Sequence, residues 1–149
     1  MSVYASRRRN MVESQLRVNK VTDDRVIMAF ENMPREEFVS PELKGLAYID
    51  EDLVLGSGRF MLEPMVLARL MQALAIKADD TILDIAAGCG YSTAVLSSLG
   101  QSVVGIEADE SLAHAAQQNL IKLSVDNSVI LHSDHNLGFA SEAPYDAII

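Results

Sequence analysis

Three acidic residues sit where a ligand could use them: Asp84, Glu107 and Asp134. Asp84 lies near the end of the apolar run Thr81 to Ile85 and is followed four positions later by Gly88-Cys89-Gly90. Such a run reads as a buried strand that feeds a tight glycine loop and then a helix. Glycines let the backbone approach a ligand without a clashing Cβ. The carboxylate can accept charge-assisted hydrogen bonds from the polar end of that ligand. Glu107 closes the next apolar run, Ser102 to Glu107, where an acid can chelate the two hydroxyls of a ribose.

A strand-end acid about 20 residues beyond a glycine loop is shared with dinucleotide-binding folds. The dinucleotide fingerprint needs a third glycine, which would fall at position 93, and that residue is Thr93. Asp84 would also repel a pyrophosphate, whereas a cationic sulfonium-bearing amino acid suits an acidic pocket. These residues favour S-adenosylmethionine (SAM) over a purely structural loop and over NAD. Asp134, in His132-Ser133-Asp134-His135, could accept from an adenine amino group; an ordinary loop Asp or helix N-cap is the competing reading. His132 and His135 lack the further ligands of a zinc set, so no metal site is expected.

The elements that must position these residues follow from periodicity. About Tyr4 to Asn19 and Asp23 to Met33 read as amphipathic helices, with Asp23 as an N-cap and Pro34 helping to end the second. An irregular stretch leads to a turn at Gly56-Ser57-Gly58. Pro64 opens a helix whose inward face is expected at Leu67, Leu70, Met71 and Leu74. From Asp80 strands and helices alternate. Thr81 to Ile85, Ser102 to Glu107 and Val129 to Leu131 are strands, and Asp146 begins a fourth. Ser92 to Leu99 and Asp109 to Leu123 are helices, the latter with Leu112, Ala115, Ala116, Leu120 and Leu123 facing inward. This order predicts an α/β fold with a doubly wound, mostly parallel sheet. Residues 1–78 form an N-terminal helical segment and 79–149 a βαβ core, within one domain. The last strand begins within four residues of Ile149, which leads us to expect further strands in a longer natural protein.

Composition narrows the functional classes. The chain has 149 residues, 49% hydrophobic and 22% charged, with a net charge of −9. Such acidity argues against a general nucleic-acid binder, and Arg7-Arg8-Arg9 reads as a solvated helix face. No apolar run approaches membrane-span length and no signal-peptide core is present, so a cytoplasmic protein with no membrane partner is expected. Cys89 is the single cysteine, which excludes an internal disulfide; it reads as a small residue in a crowded turn.

The chain as a whole resembles the protein-L-isoaspartate O-methyltransferases. The resemblance is carried by Met11 to Arg17, Val21 to Val26, Pro34-Arg35-Glu36-Glu37-Phe38-Val39, Ala47-Tyr48-Ile49-Asp50, Gly56-Ser57-Gly58, Pro64, the Asp84 loop with Tyr91, and Ala143 to Ile149. It implies a Rossmann-like, SAM-dependent methyltransferase that methylates isoaspartyl carboxylates of damaged proteins or peptides. The cofactor set it implies is Asp84, Ala86, Gly88, Gly90, Tyr91, Glu107 and Asp134. Gly56, Ser57, Gly58, Arg59 and Leu62 are its candidate substrate residues. No residue is nominated as an acid–base catalyst, because a carboxylate acceptor is already ionised at neutral pH.

The chain departs from the family pattern at the acceptor loop, where Arg59, Phe60 and Leu62 stand in place of the usual Gln, Thr and Ser. Ala86 replaces a usual glycine, which matters if that position needs positive φ. Ser133 and His135 replace the glycines flanking Asp134. Two alternatives therefore stand beside the repair enzyme: the same scaffold with another acceptor, and a non-catalytic SAM or S-adenosylhomocysteine (SAH) binder.

Overall fold

A computed structural model describes residues 2–149. The described residues form two compact units, divided between Ala75 and Ile76. In the first, Ser2 caps α1 (Val3–Met11) by accepting from the Ala5 amide. The helix runs on through a wide turn at Val12–Leu16 and a tighter one at Arg17–Asn19, ending at Lys20 with φ +66°. The wide turn carries Gln15 inward, where its amide donates to the Tyr48 carbonyl at 2.9 Å. Asp23 caps α2 (Asp24–Asn32), whose Val26, Ile27 and Phe30 are buried as the periodicity predicts.

The irregular stretch becomes two 3₁₀ segments, Arg35–Phe38 and Pro41–Leu46. The glycine turn belongs to an antiparallel hairpin of β1 (Leu53–Gly56) and β2 (Arg59–Met61), which pairs Val54 with Phe60. Helix α3 (Pro64–Leu74) follows. One expectation fails here: Leu70 is 44% exposed. The buried face is Pro64, Leu67, Ala68 and Met71. Both stripes have helical spacing, and burial of Pro64 at the first turn selects the one containing Ala68.

Buried charged residues inside this unit are hydrogen-bonded to main-chain and side-chain groups. Arg35 is 0% exposed, with Nε donating to the Ala47 carbonyl and an Nη donating to the Leu62 carbonyl, both at 2.7 Å. Its backbone N–H donates to the Tyr48 hydroxyl at 3.2 Å. That hydroxyl also accepts from Arg8 Nε at 2.9 Å and donates to Glu36, and Arg8 reaches the other Glu36 oxygen at 3.2 Å. Burial and the Glu36 bond hold the Tyr48 phenol above its ordinary range. Buried charge is tolerated only when paired in this way.

The second unit is a four-stranded parallel sheet in the order β5-β4-β3-β6. Its strands are β3 (Thr81–Ile85), β4 (Ser102–Glu107), β5 (Ser128–His132) and β6 (Ala147–Ile148). Helices α4 (Tyr91–Ser97) and α5 (Glu110–Lys122) make the first two crossovers. Ile82, Leu96, Val103, Ile106, Ala116 and Leu120 form the core. On α5, Ala113 is buried and Ala115 exposed, the reverse of the expectation, because the inward stripe runs Ala113, Ala116, Leu120. The chain moves from β3 outward to β5 and then returns to the far side of β3. The carboxyl end of β3 is thus a topological switch point, where ligands of such sheets bind. Among the described residues no helix is long and apolar enough to cross a membrane.

The Tyr48 hydroxyl joins three partners at once. Tyr48→Phe is expected to lower folding stability by about 1–3 kcal/mol, because Glu36 and Arg8 lose a buried partner. A urea denaturation midpoint equal to wild type would contradict this.

Candidate functional site

Asp84 sits one residue before the end of β3 and is 3% exposed. The loop beyond it turns through positive φ at Ala86 (+63°), Gly88 (+57°) and Gly90 (+89°), and α4 begins at Tyr91. This turn brings the start of α4 back over the strand. Ser92 Oγ then donates to Asp84 Oδ2 at 2.7 Å and Thr93 Oγ1 to the same oxygen at 2.6 Å. Neither hydroxyl engages Oδ1. Burial pushes the Asp84 carboxyl from its ordinary 3.8 up to about 6, against the two hydroxyl donors, and the Glu107 charge adds to the rise. The site therefore holds a desolvated carboxyl whose ionised form an incoming cation would favour.

Glu107 ends β4, the strand paired with β3. It is 0% exposed, and its Oε2 accepts from the Gly88 amide at 3.0 Å. Its Oε1 accepts from the Asp109 amide at 2.9 Å. One carboxylate thus ties the glycine loop to the turn after β4. The loop is fixed further by Ala87 N–H on the Ile106 carbonyl at 2.9 Å, and by Asn119 of α5 on the Cys89 carbonyl at 3.0 Å. Tyr91 and Cys89 are buried.

Two glycines are there for closeness. A Cβ on Gly105 would lie 2.8 Å from Thr93 Oγ1, the group that holds Asp84. A Cβ on Gly90 would lie 2.9 Å from Ile130 and 3.2 Å from a carbonyl of α5. Ala86, by contrast, carries a Cβ at φ +63°, a conformation costing an L-residue about 1–2 kcal/mol.

Asp134 follows β5 and is exposed. Its Oδ1 accepts from the Asn136 amide at 2.8 Å and caps the short segment His135–Leu137. The sheet thus gathers Asp84, Ala86, Gly88, Gly90, Tyr91, Glu107 and Asp134 at the carboxyl ends of β3, β4 and β5. Gly56, Ser57, Gly58, Arg59 and Leu62 lie in the other unit, on the hairpin and the residue just past it. Gly56, Ser57 and Gly58 all have positive φ, so the turn is tight. Phe60 is 56% exposed and Leu62 37%, while the Leu62 carbonyl is held by Arg35.

Sequence reasoning missed Ser92 and Thr93 as the donors to Asp84, although hydroxyls in the first turn after a glycine loop are a usable signal. It named Arg35 and His135 without foreseeing their contacts, whose partners are distant in sequence.

Comparison with known proteins gives one consistent answer. Residues 6–149 match the family described as protein-L-isoaspartate(D-aspartate) O-methyltransferase. A protein-L-isoaspartate O-methyltransferase 2 from Anaeromyxobacter sp. strain Fw109-5 is 38% identical over 148 residues, covering 99% of this chain and 61% of its own. A protein-L-isoaspartate O-methyltransferase from Methanoculleus marisnigri is 36% identical over 142 residues, covering 95% of this chain and 64% of its own. The chain therefore spans less than two thirds of the length of these relatives. A solved protein-L-isoaspartate O-methyltransferase superposes with a TM-score of 0.82 at 26% identity, over 95% of this chain and 46% of that one. A Plasmodium falciparum structure described as a putative member in complex with S-adenosyl-L-homocysteine has a TM-score of 0.75 at 21% identity. It covers 99% of this chain and 72% of that one, and shares the fold.

Two outcomes test the local physics. A carboxyl whose pKa is raised on folding favours the folded state at low pH and loses that contribution as pH rises from about 4 through about 6. Asp84→Asn is therefore expected to raise the melting temperature of the unliganded chain at pH 8 by several degrees, roughly 2–4 °C per kcal/mol. Most of that gain should vanish at pH 4, and an equal gain at both values would contradict the assigned shift. Ala86→Gly should stabilise by up to about 1 kcal/mol, since relief of the left-handed strain outweighs the added chain entropy. A loss of stability in chemical denaturation would count against strain at this position.

Proposed function

The chain belongs to the protein-L-isoaspartate O-methyltransferase family, and from that membership we propose that it binds SAM and serves methylation of isoaspartyl carboxylates in proteins or peptides. The observation that carries the reading is the buried Asp84 carboxyl at the switch point, with Glu107 at the end of the adjacent strand. An acid kept dry at the end of a parallel strand, with one oxygen engaged by neither helix hydroxyl, fits a ligand ammonium. SAM, when bound, supplies a methyl group on a sulfonium; transfer forms a carbon–oxygen bond to the acceptor and breaks the sulfur–carbon bond.

In this reading Asp84 pairs with the ammonium of the amino-acid end. Gly88 and Gly90 let the main chain approach the ligand, with Ala86 and Tyr91 shaping the same loop. Glu107 accepts from the ribose hydroxyls and Asp134 from the adenine amino group. The acceptor carboxylate is ionised at neutral pH, so the chain need not supply a base. Its contribution is positioning and exclusion of water. Gly56, Ser57 and Gly58 would present main-chain groups to a substrate, and Arg59 would pair with a substrate carboxylate.

A second reading has an observation of its own. Phe60 and Leu62 offer exposed apolar surface on the hairpin side of the first unit, with no hydroxyl at position 62. That favours an acceptor with apolar groups beside its carboxylate over one recognised mainly by hydrogen bonds.

Calorimetry with SAM and SAH, followed by transfer of labelled methyl to an isoaspartyl peptide, separates the readings. Binding with transfer supports the repair activity. Binding without transfer to that peptide moves the assignment to another acceptor or to a binding role. Absence of binding by either ligand removes the cofactor assignment. Asp84→Ala is expected to weaken SAH at least about tenfold, the loss of a charge-assisted contact, and unchanged affinity would refute the placement of the ammonium.

A further inference from the structure

Glu107 has no solvent-exposed surface, although a ligand diol must reach its carboxylate if the cofactor reading is right. The side chain lying against it is His135, whose Nε2 is 3.5 Å from Glu107 Oε1. The same Nε2 accepts a hydrogen bond from the Ala108 amide at 3.0 Å. Accepting that bond requires Nε2 to be unprotonated, so the neutral ring carries its proton on Nδ1. His132 holds the other side of the same residue, with Nε2 3.1 Å from the Ala108 carbonyl oxygen. The turn after β4 is thus latched by two imidazoles from the end of β5.

A hydroxyl bonded to a carboxylate sits about 2.7–2.8 Å from it. A ring nitrogen at 3.5 Å leaves no room for another oxygen on that flank of Oε1. His135 and a ligand hydroxyl therefore compete for one place. His135 is the member able to move. It begins the one-turn segment His135–Leu137, its side chain is 21% exposed, and its neighbours Asp134, Asn136 and Leu137 are exposed. Glu107, by contrast, is tied to two backbone amides and stays in place.

We propose that His135 is a displaceable cover on the nucleoside site, occupying the position of a ribose hydroxyl beside Glu107 until SAM or SAH binds. This rests on the assignment of Glu107 to the ribose. Swinging the ring outward exposes the carboxylate and at the same moment frees the Ala108 N–H as a donor to the nucleoside. The ligand therefore takes over groups that His135 occupies in the covered state, and that state reduces the apparent affinity by its share of the population.

The test is SAH binding to wild type and to His135→Ala at pH 7.5, with Glu107→Gln as the control for the ribose assignment. His135→Ala is expected to bind SAH roughly three- to tenfold more tightly and with a faster association rate, and Glu107→Gln more weakly. Equal affinity of wild type and His135→Ala would overturn the cover while leaving the ribose assignment intact. Weaker binding by His135→Ala would overturn it too, making the imidazole a ligand contact. An unchanged affinity in Glu107→Gln, or no binding by any form, would overturn the underlying site assignment and the cover with it. ¹⁵N spectra of the wild type give a second measurement that needs no variant. Saturation with SAH must shift the His135 Nε2 resonance and the Ala108 amide, and resonances that stay in place overturn the proposal.

Discussion

A carboxyl group cannot be taken out of water without partners, and much of the second unit is arranged around that constraint at Asp84. Its two hydroxyl donors come from the first turn of α4, so the loop Ala86 to Gly90 must double back far enough to bring that turn over the strand. Doubling back in so few residues requires left-handed backbone, which appears at positions 86, 88 and 90. It also requires β4 to approach closely, which Gly105 allows by having no side chain where Thr93 Oγ1 comes in. Even with both donors, the balance stays on the side of desolvation, and the carboxyl is pushed up to about 6. An incomplete balance of this kind is what a cationic ligand can complete.

Glu107 solves the same problem differently. Its oxygens accept from the amides of Gly88 and Asp109, so its charge is spent on holding two turns together. One strand-end acid has both α4 hydroxyls on a single oxygen, and its neighbour accepts a main-chain amide on each of its two oxygens. The two acids lie on adjacent strands of one register, so the geometry of either depends on the pairing of β3 with β4.

Most of this unit was legible in the sequence because each strand is a short apolar run bounded by turn residues. The bounds read for β3 and β4 agree with the structure to the residue, and β5 is longer by one residue at each end. The acids at the strand ends were legible for the same reason. What was not legible depends on contacts made after folding. The hairpin β1–β2 is short and exposes Val54 and Phe60, so it lacks an alternation of apolar and polar residues that would announce strands. The inward stripes of α3 and α5 were misread at Leu70 and Ala115, where Ala68 and Ala113 are buried instead, since both stripes have helical spacing and only packing chose between them. The grips of Arg35 on Ala47 and Leu62, and of His135 on Ala108, join residues whose separation in sequence carries no periodic signal.

Arg35 holds the residue after the hairpin by its main-chain carbonyl. A backbone grip of this kind fixes the chain at Leu62 without contacting its side chain. The fold has in effect separated two tasks that usually constrain each other, keeping the loop's course in a buried cation and leaving the outward group at position 62 free to drift. A lineage can therefore exchange a hydroxyl for an isobutyl group at that point without having to reinvent the scaffold beneath it.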